Sequence, residues 1–103
     1  MLVPDREIAA RLAALRRESV DLERRLRADD FSAPDACDYW RSQIDSYRTE
    51  IDGALATMPF PQRAIQQVPR IGDEVDRAAW PVAVMEELTE IRTRLDAAIS
   101  RLA

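Results

Sequence analysis

Apolar residues recur at alternating spacings of four and three in three separate stretches of this chain. The first runs Ile8, Leu12, Leu15, Leu22 and Leu26, with Ser19 as the one polar member of the series. The second runs Cys37, Trp40, Ile44, Tyr47, Ile51, Ala54 and Met58, and the third Val84, Leu88, Ile91, Leu95, Ala98 and Leu102, widened by Met85 and Ile99. Spacing of this kind lines side chains along one stripe of an α-helix that lies against other helices. The pattern predicts helices over 5–28, 33–58 and 82–102. The middle stripe holds the only cysteine, one of two tryptophans and one of two tyrosines, so it is the expected centre of the core.

The polar positions place the boundaries. Asp5, after Pro4, is the expected cap of the first helix, with Glu7 near its positive end. Asp29 and Asp30 sit badly at the negative end of a helix, so that helix should stop just before them. Ser32 reads as the cap of the second helix. Asp35 follows three residues later, Phe31 and Ala36 occupy the positions of a hydrophobic staple, and Pro34 falls in the first turn. A link this short predicts an antiparallel helical hairpin. Glu7 and Arg11, Asp21 and Arg25, Glu23 and Arg27, and Glu90 and Arg94 are acid-to-base pairs one helical turn apart, each worth about 0.2–0.5 kcal/mol when exposed. They account for the dense arginine as a solvated face. Gly53, inside the second helix, suggests either close approach of a neighbouring backbone or fraying before Pro59.

Residues 59–81 break the pattern. Pro59, Pro61, Pro69 and Pro81 forbid a continuous helix, yet Phe60, Ile65, Val68, Ile71, Val75 and Trp80 make the stretch too apolar for a free linker. It is expected to be an ordered strap on the bundle, long enough at about 3.3 Å per residue to run back along a helix. The predicted architecture is thus all-α and a single domain over 1–103: an antiparallel helical hairpin and a third C-terminal helix forming a three-helix bundle, joined by a Pro-rich ordered strap.

Composition narrows the function classes. A net charge of -4 and a pI near 4.8 weigh against nucleic-acid binding, which needs a basic face. No apolar run is long enough to cross a bilayer and the start lacks the pattern of a signal peptide, so no membrane partner and a cytoplasmic location are expected. One cysteine forms no internal disulfide, in keeping with a reducing compartment. All fifteen basic residues are arginine, and histidine and lysine are absent, as in a GC-rich bacterial or phage coding sequence. No imidazole or ε-amine is therefore at hand for acid–base or nucleophilic catalysis. Cys37 lies on the apolar stripe between Asp35 and Asp38, a setting for an inert thiol.

Carboxylates are the remaining chemistry. Asp73, Glu74 and Asp76 precede Glu86, Glu87 and Glu90, and such oxygens can hold Mg²⁺ beside a phosphate. The spacings Asp73-x-x-Asp76 and Glu87-x-x-Glu90 resemble acidic elements of the all-α nucleotide pyrophosphatases of the MazG type. In that family the Glu-x-x-Glu element comes first; here the order is reversed and no supporting lysine is present. Size and hairpin form are similar to the small helical proteins of type VII secretion. The turn here reads Phe31-Ser32-Ala33-Pro34 rather than Trp-x-Gly, and Tyr47 has Ile51, not an acid, four residues on.

The function expected from these features is a non-catalytic helical protein–protein interaction module. It would act as an adaptor or regulatory subunit, or as a self-associating coiled-coil oligomer, through an apolar stripe left over from the bundle. A phage virion or assembly component and a Mg²⁺-dependent nucleotide hydrolase are the alternatives. No catalytic residue, metal ligand or cofactor is assigned. The candidate interaction surface comprises Tyr39, Phe60, Ile65, Val68, Ile71, Trp80, Met85 and Ile99.

Overall fold

A computed structural model describes residues 4–56, 68–72 and 74–102. Three helices make up most of it: α1 (Asp5–Ala28), α2 (Ala36–Leu55) and α3 (Trp80–Leu102), the last entered through one 3₁₀ turn at Arg77–Ala79. The protein is an all-α three-helix bundle, and α1 packs against both α3 and α2. The three stripes face inward. Ile8, Leu12, Leu15, Leu22 and Leu26 meet Trp40, Ile44, Tyr47, Ile51 and Ala54 on one side and Val84, Leu88, Ile91, Leu95 and Ala98 on the other, all buried. Cys37 is only half-buried; Ala36 takes the inward place beside Trp40. Met58 lies outside the described residues.

Cross-helix contacts set the directions. Tyr47 Oη donates to Leu15 O at 2.5 Å and Trp40 Nε1 to Asp29 Oδ2 at 2.7 Å, so α2 runs antiparallel to α1. Arg16 Nε reaches Asp96 Oδ1 at 2.5 Å and Arg92 Nε reaches Ser19 Oγ at 3.1 Å, so α3 is antiparallel to α1 as well. α2 and α3 are therefore parallel. Two parallel neighbouring helices cannot be joined by a short turn, which is why a strap separates them in sequence. The polar Ser19 is fully buried, and its hydroxyl donates to Arg16 O at 2.5 Å while accepting from Arg92. Hydrogen bonds in both directions offset the cost of taking the hydroxyl out of water.

Each helix start differs from the sequence-based expectation, in its cap or in its first residue. Asp5 is the first residue of α1 rather than its cap, and Pro4 precedes it without a side-chain capping bond. α2 begins at Ala36 after Asp35, not after Ser32. The reason lies in the two aspartates before it. Asp29 Oδ1 accepts the Phe31 N–H at 2.8 Å and Asp30 Oδ1 the Ser32 N–H at 3.0 Å. These local side-chain bonds compete with a helical turn and hold the chain out of it. Phe31 adopts φ 57°, unusual for a residue with a side chain, and its buried ring stacks on Trp40 at 6.4 Å. At the far end α3 begins at Trp80, with Pro81 in its first turn, where a missing N–H does little harm.

Candidate functional site

The described strap residues Val68–Gly72 lie along α2 and α3, held chiefly by arginine. Arg48 Nη2 donates to Val68 O at 2.8 Å and Arg41 Nη1 to Ile71 O at 3.2 Å, so the strap runs opposite to α2. The Arg70 guanidinium pairs with Asp45, and Trp80 Nε1 donates to Val75 O at 3.2 Å. Arg41 also stacks over the Trp80 ring at 5.0 Å. At the strap's lower end Arg77 donates to the carbonyls of Phe31, Ala33 and Pro34, tying the entry of α3 to the hairpin turn.

Beneath the strap lies an ion pair. Arg48 of α2 and Glu87 of α3 are 3% and 6% exposed, with Nη1 and Oε2 3.5 Å apart. The Glu87 carboxylate also receives the Ile71 N–H. Desolvating two charges costs several kcal/mol per ion before attraction and hydrogen bonds offset it. Burial outweighs the pull of Arg48 and pushes the Glu87 carboxyl above its ordinary range. Sequence reading missed this pair because both residues fall off the apolar stripes. The parallel register of α2 and α3 brings them together, as it brings Arg41 to Trp80.

Glu87 stands between two concavities. Inside is a cavity of about 40 Å³ bordered by Arg41, Ile44, Asp45, Arg70 and Trp80. That volume suits a few waters and is far below the few hundred Å³ of a ligand site. Outside is an open groove of about 300 Å³ between the strap and the start of α3, with apolar walls from Val68, Ile71, Val75 and Ala83, a rim of Glu86 and Glu90, and Arg70, paired with Asp45, in its lining. Gly72 borders it, and the Glu74 carboxylate packs where a Cβ at that position would stand. Glu86 and Glu90 are exposed, one helical turn apart, and neither forms an ion pair among the described residues.

The residues anticipated as an interaction surface separate under this geometry. Val68 and Trp80 are buried in the core and offer almost no free surface, Val68 reaching the groove only as part of its lining; Arg48 donates to the Val68 carbonyl, and the Trp80 ring sits under Arg41. Ile71, Met85 and Ile99 are half-buried against the core, and Ile71 lines the groove. Tyr39 is 45% exposed and accepts a long bond of 3.5 Å from Arg25. Phe60 and Ile65 lie outside the described residues. Val20, Tyr39 and Val82 are the only large apolar side chains standing exposed among the described residues, so no helix stripe there is left bare. Of the acidic positions, Glu86, Glu87 and Glu90 border one groove, but Glu87 is committed to Arg48; Asp73 is outside the described residues. Among the described residues no three acidic, histidine or cysteine side chains are grouped to hold a metal ion. No described helix is long and apolar enough to cross a membrane. No protein-family model, curated protein or solved structure matches the chain.

Proposed function

We propose that this chain is a non-catalytic helical protein–protein interaction module, an adaptor, regulatory subunit or self-associating unit of a bacterial or phage cytoplasm, and that its docking element is the groove between the strap and α3. The observation that carries the reading is the groove's construction: apolar walls under an acidic rim whose charges are unmatched within the described residues. Apolar walls with a charged edge are the pattern of a recognition surface. The mechanism differs from a bare helical stripe. The helix faces fill the core, and the recognition surface is made where an irregular segment crosses two parallel helices.

The test compares wild-type protein with Ala83→Arg, which places a guanidinium in the groove beside Glu86 and Glu90. Affinity capture from the native host is expected to recover a partner in stoichiometric amount with wild type and at least about tenfold less with the variant, a difference of 1.4 kcal/mol or more. Identical recovery with both baits, together with a monomer by sedimentation at all concentrations, would overturn the reading.

A further inference from the structure

Resting on that reading, we infer that the groove between the strap and α3 takes a single cationic side chain, arginine or lysine, presented by an extended basic peptide segment of a partner protein. The size of the groove, about 300 Å³, is at the lower end for ligand sites and suits a side chain or two rather than a helix face. Its walls, Val68, Ile71, Val75 and Ala83, are aliphatic. Among the described residues its charges do not cancel. Glu87 is matched there by Arg48 and Arg70 by Asp45, which leaves Glu86 and Glu90 to set a negative field at the mouth. Like charges one turn apart on a helix repel by a few tenths of a kcal/mol, and a cation between them reverses the sign. A long basic side chain lays its methylenes on apolar walls and leaves its charge at the edge. An aliphatic segment would leave the rim unmatched, and an acidic one would be repelled. A second copy of the chain is disfavoured as occupant because each carries a net charge of -4, whereas a basic segment is drawn in at long range.

The probes are the capped peptide Ala-Val-Arg-Val-Ala and its citrulline counterpart, which keeps the shape of arginine without its charge. Each is titrated into ¹⁵N-labelled full-length protein, and amide shifts are followed. The arginine peptide is expected to move the Ile71, Val75, Ala83, Glu86 and Glu90 amides. Citrulline, or the Glu86→Gln/Glu90→Gln protein, should weaken binding at least about tenfold. Added salt should weaken the arginine peptide alone, as its interaction is screened. Equal affinity for citrulline, shifts confined to other regions, or no shifts at all would overturn the inference. Circular dichroism is the control: the variants, altered at exposed or half-buried positions, are expected to remain helical. Concentration-dependent dimerisation abolished by Ala83→Arg would assign the groove to a second copy; the basic occupant would fall and the interaction reading stand. Failure of the peptide alongside a captured partner lost by Ala83→Arg likewise removes the basic occupant alone, whereas failure of both overturns both.

Discussion

Trp40 gathers more of the fold's interactions than its position at the start of α2 suggests. It is 1% exposed, stacks on Phe31, meets the Tyr39 ring edge-on at 5.6 Å and donates its indole N–H to Asp29. Trp40→Ala is expected to cost about 3–5 kcal/mol in urea unfolding. Trp40→Phe, which keeps a ring and loses the charge-assisted bond, should cost less, about 1.5–3 kcal/mol. A loss below about 1 kcal/mol for the alanine variant would show that the ring is not buried on folding. Arg48 makes a different kind of contribution. Arg48→Met leaves the Glu87 carboxylate buried without its cation, a change expected to cost about 3–5 kcal/mol near neutral pH. Losing that cation raises the Glu87 carboxyl further above its ordinary value, so the folded state of the variant takes up a proton before the unfolded chain does. The penalty should therefore shrink as pH falls toward 5. Arg48→Met/Glu87→Leu, which removes both charges, should recover most of the loss at pH 7. A penalty for Arg48→Met that is the same at both pH values would mean that the strap contact to Val68, rather than the buried charge, is what Arg48 supplies.

Among the elements, the helices were legible in the sequence because their signal is local and repeated. Every apolar stripe residue from Ile8 to Leu26 is buried, and α1 ends at Ala28, where the misplaced acids Asp29 and Asp30 said it should. The start of α2 was misread because Ser32 has the chemistry of a cap, while the Asp29 and Asp30 side chains had already taken the N–H groups of Phe31 and Ser32. Of the groove, Val68 and Ile71 were legible as candidate surface and Glu86, Glu87 and Glu90 as an acidic group, but not that they meet. Val68 and Trp80 look like surface residues of a proline-rich stretch until Arg48 and Arg41 are brought over them, and that depends on α2 and α3 being parallel, a fact no local pattern encodes. Gly53 shows how an element-level question is settled by geometry. A Cβ built there meets only the tip of the Arg11 side chain, at 3.8 Å, so no backbone approach requires glycine. Gly53→Ala should stabilise the protein by about 1 kcal/mol through helix propensity, raising the thermal midpoint by about 4–8 °C. A lower midpoint would mean that α2 does not persist through this position in solution.

For the whole molecule, the same burial that shapes the groove makes stability depend on pH in an uncommon direction. Burial and the neighbouring Glu50 push the Glu18 carboxyl up where α1 meets α2; burial, against the pull of Arg48, pushes up Glu87 where α2 meets α3. In the unfolded chain both revert to the ordinary value near 4.5. The folded state thus holds more protons than the unfolded state in the window above 4.5, and the slope of unfolding free energy with pH is negative there. Stability contributed by these groups is present in acid and lost as pH rises through their folded-state values. Repulsion within a chain of net charge -4 acts in the same sense, since it eases toward the pI of 4.8. Asp30, held below its usual 3.8 by the Ser32 hydroxyl and N–H, opposes this only in stronger acid. The urea midpoint is therefore expected to rise as pH is lowered from about 8 to about 5, and to fall again in strong acid as native carboxylates that accept hydrogen bonds become protonated. Glu18→Gln, at a partly exposed position that tolerates an amide, should reduce that rise and leave the helical content unchanged. A midpoint that is flat or falling from about pH 8 to 5 would show that neither carboxyl resists ionisation in the folded protein, and with it that the strap does not seal Glu87 from water in solution.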